Sequence, residues 1–124
     1  MAKQKVRYVD GFVLVVPKKK LEKYRKMALL GKKIWMKYGA LDYKECVGDD
    51  LKAAHVTLPF PKIAKCKPGE LVIFSYIGFA SRAHRDRVNA KVMTDPAMDP
   101  EDMKDAPMDM KRFAYGGFKV IVSS

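Results

Sequence analysis

Residues 8–38 decide the fold, and they read YVDGFVLVVPKKKLEKYRKMALLGKKIWMKY. The run Tyr8–Val16 is rich in β-branched and aromatic residues, and both of its faces are mostly apolar, which is typical of a central strand. From about Lys18 to Tyr38, apolar residues recur every three or four positions while lysines occupy the opposite side. This spacing predicts an amphipathic helix of about five turns that packs on a sheet. Gly31 inside the helix indicates close approach to that sheet.

The rest of the chain repeats the order of strand, helix and strand. Alternation or apolar runs predict further strands, and a capping serine before an i, i+4, i+8 apolar line predicts a second helix. The predicted elements are strands at Leu41–Val47, Leu71–Phe79 and Phe113–Val122, and a helix from Ser81 to Asp95-Pro96. Within the last strand, Gly116-Gly117 predicts a bulge or a site of close backbone approach.

Two strand–helix–strand halves predict an α+β fold of the ferredoxin-like βαββαβ type, with one four-stranded antiparallel sheet. The whole chain, residues 1–124, is expected to form a single domain, with residues 1–7 as a short flexible basic tail. Residues 49–69 are too long for a hairpin and hold three prolines, so we expect an irregular excursion there that covers a cleft. Helices would cover one sheet face only, and the bare face would need a partner or a ligand.

The composition favours a small globular protein of the cytoplasm. The first residues lack the apolar core of a signal peptide, and no apolar run approaches the roughly 20 residues that a membrane helix needs. Cys46 and Cys66 stand alone, without metal-ligand spacing, as expected in a reducing compartment. No cofactor, no metal site and no membrane partner are predicted.

The net charge of +11 raises the hypothesis of nucleic-acid binding. The 19 lysines greatly outnumber the 6 arginines, however, whereas bidentate recognition of phosphates and bases favours arginine. Most of the positive charge lies in Lys18–Lys37, where a solvated helix face is the simpler interpretation. The strand Leu71–Phe79 also departs from the aromatic pattern of RNA-recognition modules.

Several motifs along the chain resemble the YbaA-like family, a family of small bacterial proteins of unknown function. They are Tyr8-Val-Asp-Gly-Phe-Val, Glu45-Cys46 with Gly48-Asp49-Asp50, Arg85-Asp86-x-x-Asn89-x-Lys91, and Lys111-Arg112-x-x-Tyr115-Gly-Gly-Phe118. The resemblance implies the dimeric α/β-barrel superfamily, in which two ferredoxin-like subunits press their bare sheet faces together into a homodimer. That superfamily includes cofactor-independent monooxygenases, isomerases, lyases and haem enzymes. The resemblance therefore implies an architecture and not a reaction.

The candidate site is a set of acids, phenols and a hydroxyl on the predicted strands. A carboxylate on an apolar strand is costly unless it is paired, so it is either a base with a raised pKa or one half of an ion pair. We predict Asp10 or Glu45 as the base and Tyr115 as a hydrogen-bond donor to a substrate oxygen. Predicted ligand-binding residues are Tyr43, Ser75, Tyr76 and Arg112, with Phe60 and His55 as lid residues. Alternation alone leaves open which strand parity faces the barrel.

Simpler interpretations remain open for these and other residues. Asp10 and Glu45 could instead pair with Arg112, Lys111 or the partner subunit. His84 is expected at the helix surface or as a satisfied, partly buried residue. The methionines at positions 93, 98, 103 and 108 recur every five residues, which fits gap-filling of a core better than a Cu(I) site.

Three functions follow as hypotheses. The first is a homodimeric barrel that binds a small organic molecule, and that would act, if it is an enzyme, as a cofactor-free monooxygenase or isomerase. The second is a basic module that binds RNA or another nucleic acid. The third is a purely structural dimer.

Overall fold

The computed structural model describes residues 4–52 and 54–124. It contains four strands, β1 (Tyr8–Pro17), β2 (Asp42–Val47), β3 (Glu70–Phe79) and β4 (Ala114–Lys119), and three helices, α1 (Leu21–Lys37), α2 (Phe60–Ile63) and α3 (Arg82–Met93). Short 3-10 turns lie at Lys18–Lys20, Pro100–Met103 and Met110–Arg112. Among the described residues, no helix is both long and apolar enough to cross a bilayer.

The four strands form one antiparallel sheet in the order β2-β3-β1-β4. β1 and β3 are the central pair, with Tyr8 opposite Phe79 and Pro17 opposite Glu70. The two long helices follow β1 and β3, so each half of the chain is a strand–helix–strand unit. This is the predicted ferredoxin-like βαββαβ topology.

The strand register assigns every side chain of the sheet to one of two faces. The helix-covered face carries Leu14 and Val16 of β1 and Ile73, Ile77 and Phe79 of β3, which are all at most 4% exposed. The residues of the opposite face, called the bare face below, alternate with these and run from β1 through β4: Val9, Gly11, Val13, Val15, Pro17, Asp42, Lys44, Cys46, Glu70, Val72, Phe74, Tyr76, Gly78, Ala114, Gly116 and Phe118.

The two long helices form where the sequence predicts them. Tyr24, Ala28 and Ile34 are the buried residues of α1, and Val88 and Val92 are those of α3. The Ser81 side chain accepts a hydrogen bond from the backbone N–H of His84 and so caps α3 as predicted.

The structure departs from the predicted sheet in two places. β4 ends at Lys119, although the sequence predicts a strand to Val122, and Ile121 is 88% exposed. The pairing of β1 with β4 runs without a break through Gly116 and Gly117, so the predicted bulge is wrong. The alternative of close approach holds at Gly117, where the Tyr8 hydroxyl occupies the space of a side chain.

The predicted basic tail also differs at its last residue. The Arg7 backbone N–H donates to the Phe79 carbonyl at 2.9 Å, and its carbonyl accepts from the Val120 N–H at 3.0 Å. These two bonds continue the ladders on both sides of β1, so Arg7 extends the sheet. Residues 1–3 of the predicted tail lie outside the described residues.

Two irregular segments complete the domain. The excursion after β2 contains α2, and its buried Ala64 packs with Val15 and Val72 over one end of the bare face. The second segment, residues 95–113, is called the strap below, and it lies against α1 and the helix-covered face. At one end of the strap, the Asp95 carboxylate accepts from the Tyr38 hydroxyl at 2.7 Å. At the other end, Arg112 makes a bidentate ion pair with Glu70 at 2.6 and 2.7 Å.

Candidate functional site

A cavity of about 220 Å³ lies between α1, the helix-covered face and the strap. Most of its lining is apolar and comes from all three elements: Phe12, Leu14, Met27, Ala28, Ile34, Trp35, Ile77, Met98, Met108 and Phe113. The amphipathic face of α1 leaves this space because Ala28 and Gly31 are small at the point where they meet the sheet. The cavity is therefore formed by packing of distant segments and is partly open to solvent. It lies on the helix-covered face, whereas the sequence predicts a pocket in the dimeric barrel.

On the polar side of the cavity, two phenols hold the carboxylate of Glu45, an exposed residue of β2. The Tyr24 hydroxyl on α1 donates to Glu45 Oε1 at 2.6 Å, and the Tyr43 hydroxyl on β2 donates to Glu45 Oε2 at 2.9 Å. Burial and the neighbouring Glu45 carboxylate raise the pKa values of both tyrosines above their ordinary range. Both phenols therefore keep their protons at neutral pH and act as hydrogen-bond donors.

Ser75 adds a hydroxyl without a partner to this polar side. It lies directly opposite Glu45 across the β2–β3 pair, it is only 5% exposed, and it lines the cavity. Within residues 4–52 and 54–124, its Oγ makes no side-chain hydrogen bond, and it is not sealed off from solvent, because the fully buried atoms that lack a well-formed hydrogen bond there are Asp10 Oδ1 and Arg85 Nε. The hydroxyl is therefore open to the cavity, where it is suited to hold a ligand oxygen.

Gly31 is what lets the Tyr43 hydroxyl reach Glu45. A Cβ atom at Gly31 would lie 2.8 Å from the Tyr43 hydroxyl oxygen and 3.7 Å from its ring carbon Cζ. The hydroxyl therefore occupies space that any other helix residue would take. This explains a glycine inside α1, which costs about 1 kcal/mol relative to alanine.

We expect Gly31→Ala to stabilise the protein by about 1 kcal/mol only when Tyr43 is replaced by phenylalanine. In the Tyr43→Phe background the added methyl group meets no hydroxyl, so the full gain in helix propensity appears. With Tyr43 present, displacement of its hydroxyl from Glu45 offsets that gain. Urea denaturation of the two single variants and the double variant measures the difference, and equal effects of Gly31→Ala in both backgrounds would contradict it.

A second polar cluster lies on the same face of the sheet, beside the cavity. Asp10 on β1 is 1% exposed, and its Oδ1 is 3.3 Å from Nη1 of Arg85 on α3. Arg85 also donates to the Tyr115 hydroxyl at 2.8 Å and to the Tyr8 hydroxyl at 3.1 Å. Asn89 donates to Asp10 Oδ2 at 3.3 Å and accepts from Trp35 Nε1 at 3.0 Å, which joins this cluster to the cavity wall.

The Asp10 carboxylate is poorly satisfied for a buried charge. Its Oδ1 has no well-formed hydrogen bond to any described residue, and Arg85 Nε is directed to another acid, with Asp86 Oδ1 at 3.0 Å. Burial raises the pKa of Asp10, although Asn89 and Arg85 oppose the rise. The contacts to the buried Asp10 carboxylate are long, at 3.3 Å each. The loss of either partner would therefore leave the Asp10 charge poorly compensated.

Comparison with known proteins identifies the family. Residues 7–110 match the sequence profile of the family described as "Protein of unknown function (DUF1428)". The chain belongs to this DUF1428 family. It is also 40% identical over 117 residues to the uncharacterized protein YbaA of Escherichia coli K12, an alignment that covers 94% of this chain and 98% of YbaA. The YbaA protein of Shigella flexneri matches with the same identity and coverage.

A solved structure confirms the fold of this DUF1428 chain. It is a dimeric ferredoxin-like protein from an uncultured marine organism, with a TM-score of 0.58 at 10% identity. The match covers 95% of this chain and 99% of that chain. At this identity the likeness shows the fold alone.

In the DUF1428 chain, the site residues proposed from the sequence separate into two groups. Glu45, Tyr43 and Ser75 meet in the cavity, as alternation over β2 and the β2–β3 register require. Asp10 and Tyr115 meet in the second cluster, linked through Arg85. The alternative in which Asp10 and Glu45 pair with Arg112 or Lys111 is wrong within the chain, because Arg112 pairs with Glu70 and Asp109.

The other predicted residues lie away from the cavity's polar side. Tyr76 is on the bare face, where it borders both the cavity and an apolar groove. Phe60 packs edge-on against Phe74 of the bare face, with ring centroids 6.1 Å apart. His55 is in an exposed turn of the excursion. His84 is a satisfied, partly buried residue, as expected, because its Nδ1 accepts from the Ala80 N–H at 2.9 Å.

Sequence reasoning missed four members of the two groups, of which Tyr8 was interpreted only as a residue of β1. Tyr24 was interpreted only as a residue of the α1 core, although a buried tyrosine hydroxyl needs a partner and so signals a polar contact. Arg85 and Asn89 were seen only as motif positions. Arg85 and Asn89 lie one helical turn apart, which places them on the same side of α3. A polar i, i+4 pair next to the buried Val88 and Val92 was the sequence signal that could have indicated a buried polar contact.

The methionines divide between the core and the surface. Met98 and Met108 of the strap fill gaps beside the cavity, as predicted, while Met93 and Met110 are exposed. The side chain of Met103 is not among those described. No group of three or more histidine, cysteine or acidic side chains in the described ranges could hold a metal ion.

The charge distribution does not favour RNA binding on the sheet. The lysines of α1 lie on its exposed side, such as Lys23, Lys26 and Lys33, while the exposed aromatic residues Phe74 and Phe118 are on the bare face at the other side of the sheet. Base stacking and phosphate contacts would need these two sets side by side.

Proposed function

We propose that the protein binds a small organic molecule with one ring and a short polar side group in the cavity beneath α1. The observation that supports this most is the Ser75 hydroxyl, which opens onto the mostly apolar cavity opposite Glu45 and forms no side-chain hydrogen bond within the described residues. A ligand carbonyl or hydroxyl oxygen would give this hydroxyl a partner inside the cavity.

The size and chemistry of the cavity define the ligand class. A cavity of about 150 Å³ is known to hold benzene, so the 220 Å³ here fits one ring with a short side group. Aromatic side chains and methionines form the wall, and these pack well against a flat ring. The ligand oxygen would lie among Ser75, Tyr43 and Glu45.

We also propose that the protein is a homodimer in which two bare faces pack together. Phe74 and Phe118 of this face are 44% and 63% exposed, and an apolar groove runs between them over Gly11 and Gly116. An apolar sheet face of this extent is rarely left in water. A solved ferredoxin-like protein that shares the fold is described as dimeric, which supports self-association.

Titration with benzoylacetone, a neutral single-ring diketone, should shift the indole N–H resonance of Trp35 in a saturable way. Trp35 lines the cavity and is the chain's single tryptophan, so its ¹H–¹⁵N signal is unique. A ligand of this size is expected to bind with a Kd of about 1 mM or tighter. Ala28→Leu fills the cavity and should abolish the shift, whereas Ser75→Ala should weaken binding by roughly threefold to tenfold.

Ala90→Leu is the matched control, since Ala90 is an exposed residue of α3 and the same atoms are added there away from the cavity. Circular dichroism would verify that each variant is folded. Absence of a saturable indole shift in the folded wild-type protein would contradict cavity binding, as would equal shifts in wild type and Ala28→Leu.

A further inference from the structure

We infer that Glu45 moves a proton between a carbon and an oxygen of the bound ligand, so that the protein interconverts the keto and enol forms of an activated ketone. This inference rests on the proposed binding in the cavity. It assigns to the cavity a reaction class, a keto–enol isomerisation, and a substrate class, β-dicarbonyl compounds and ketones of comparable acidity.

The position of Glu45 suits a base. Tyr24 and Tyr43 each hold one of its two oxygens, at 2.6 and 2.9 Å, so the carboxylate is fixed at the polar side of the cavity. Each carboxylate oxygen has about two acceptor sites, so each phenol leaves one free. A fixed carboxylate with free acceptor sites, opposite a hydroxyl that can hold a carbonyl oxygen, places a base and an oxygen-binding group on the same ligand.

The chemical step balances with the groups present. A Glu45 oxygen takes a proton from the carbon next to the ligand carbonyl, and the C–H bond breaks. Its electron pair forms the C=C bond, and the π pair of the carbonyl moves to the oxygen. Ser75 donates a hydrogen bond to the resulting enolate oxygen.

Tyr43 completes the transfer. Once Glu45 is protonated, the Tyr43 O–H turns from Glu45 Oε2 to the enolate oxygen, so that the Tyr43 oxygen accepts the proton of Glu45 while its own proton passes to the enolate oxygen to give the enol. The net change is one proton moved from carbon to oxygen, and the reverse path returns the keto form. Burial and the neighbouring Glu45 carboxylate raise the pKa of Tyr43, so this phenol keeps its proton at neutral pH until the Glu45 proton reaches its oxygen.

The substrate class follows from the strength of the base. A carboxylate is a weak base, so it removes protons at a useful rate only from acidic C–H bonds, such as those between two carbonyl groups. Phe12 and Trp35 would lie against the flat conjugated enol.

Exchange of the C2 protons of benzoylacetone for deuterium in D₂O, followed by ¹H NMR, tests the inference. We expect the wild-type protein to speed this exchange by about 100-fold or more over buffer, the usual range for a positioned general base. Glu45→Gln should lose that acceleration while the Trp35 indole titration still shows binding. Tyr43→Phe should slow ketonisation of the enol more than it weakens binding.

Glu22→Gln is the matched control, because it makes the same chemical change at an exposed residue of α1 that lies outside the cavity lining. It should exchange as fast as wild type. If the wild-type protein binds benzoylacetone without speeding exchange, or if Glu45→Gln is as fast as wild type, the inference is wrong and the proposed binding stands. If benzoylacetone causes no saturable shift of the Trp35 indole signal, the proposed function itself is wrong.

Discussion

Replacing Arg85 with methionine is expected to lower the free energy of unfolding at neutral pH by about 3–5 kcal/mol, the usual cost of leaving a buried charge unpaired. Methionine keeps much of the volume of the side chain but removes the guanidinium. Asp10 is 1% exposed. Its remaining described partners would then be Asn89, whose Nδ2 is 3.3 Å from Asp10 Oδ2, and the hydroxyl of Tyr115. Tyr8 and Tyr115 each lose a hydrogen bond as well. Urea denaturation measures the change.

The loss of unfolding free energy in Arg85→Met should be smaller in acid, and the pKa of Asp10 gives the direction of this pH dependence. Burial raises the pKa of Asp10 above its ordinary value of 3.8, so the folded state binds this proton more tightly than the unfolded state. Its contribution to stability is therefore present at low pH and is lost as the pH rises through the folded-state pKa. Without Arg85 that pKa rises further, so the difference between Arg85→Met and wild type narrows as the pH falls below it.

Two further variants separate the ion pair from general damage to α3. Arg87→Met makes the same change at an exposed arginine of α3 that forms no ion pair among the described residues, and it should alter stability by about 0.5 kcal/mol or less. Asp10→Asn added to Arg85→Met removes the unpaired charge and should recover much of the lost stability. A double variant no more stable than Arg85→Met would show that Asp10 is not the source of the cost.

Phe74→Glu should convert the proposed dimer into a monomer, so that sedimentation equilibrium reports the 14.1 kDa chain mass in place of twice that mass. Phe74 is at the centre of the bare face on β3 and is 44% exposed in the isolated chain. A glutamate there would place a desolvated charge in each half of a symmetric interface, with its own copy nearby. Because the side chain lies on the sheet surface, the fold of the isolated chain should survive.

Leu29→Glu provides a close control. Leu29 is 46% exposed, nearly the same as Phe74, but it lies on α1 at the other side of the sheet. It should leave the dimer intact. A wild-type protein that sediments as a monomer at micromolar concentration, or a Phe74→Glu protein that remains a dimer, would contradict packing through the bare face.

Much of the fold was predictable because periodicity along the chain is a local property. The order of strands and helices, the cap at Ser81 and the tight packing at Gly31 all follow from residues close together in sequence. The end of β4 was not predictable in the same way. Ile121 and Val122 have the apolar pattern of a strand, but a strand forms only where a neighbour supplies hydrogen bonds. Among the described residues, the last backbone bond of this ladder runs from the Val120 N–H to the Arg7 carbonyl.

The candidate site was predictable only in part, since alternation shows which residues share a face but not which face it is. Tyr43 and Glu45 had to lie on the same side of β2, and the sequence determined this by itself. The tertiary structure decided that this side is covered by α1, that Ser75 lies opposite Glu45, and that Tyr24 reaches the same carboxylate. It also brought Arg85 to Asp10 across 75 positions. The physical reason is that strand register and helix packing are set by the burial of the whole apolar surface at once, and no local stretch of sequence contains that information.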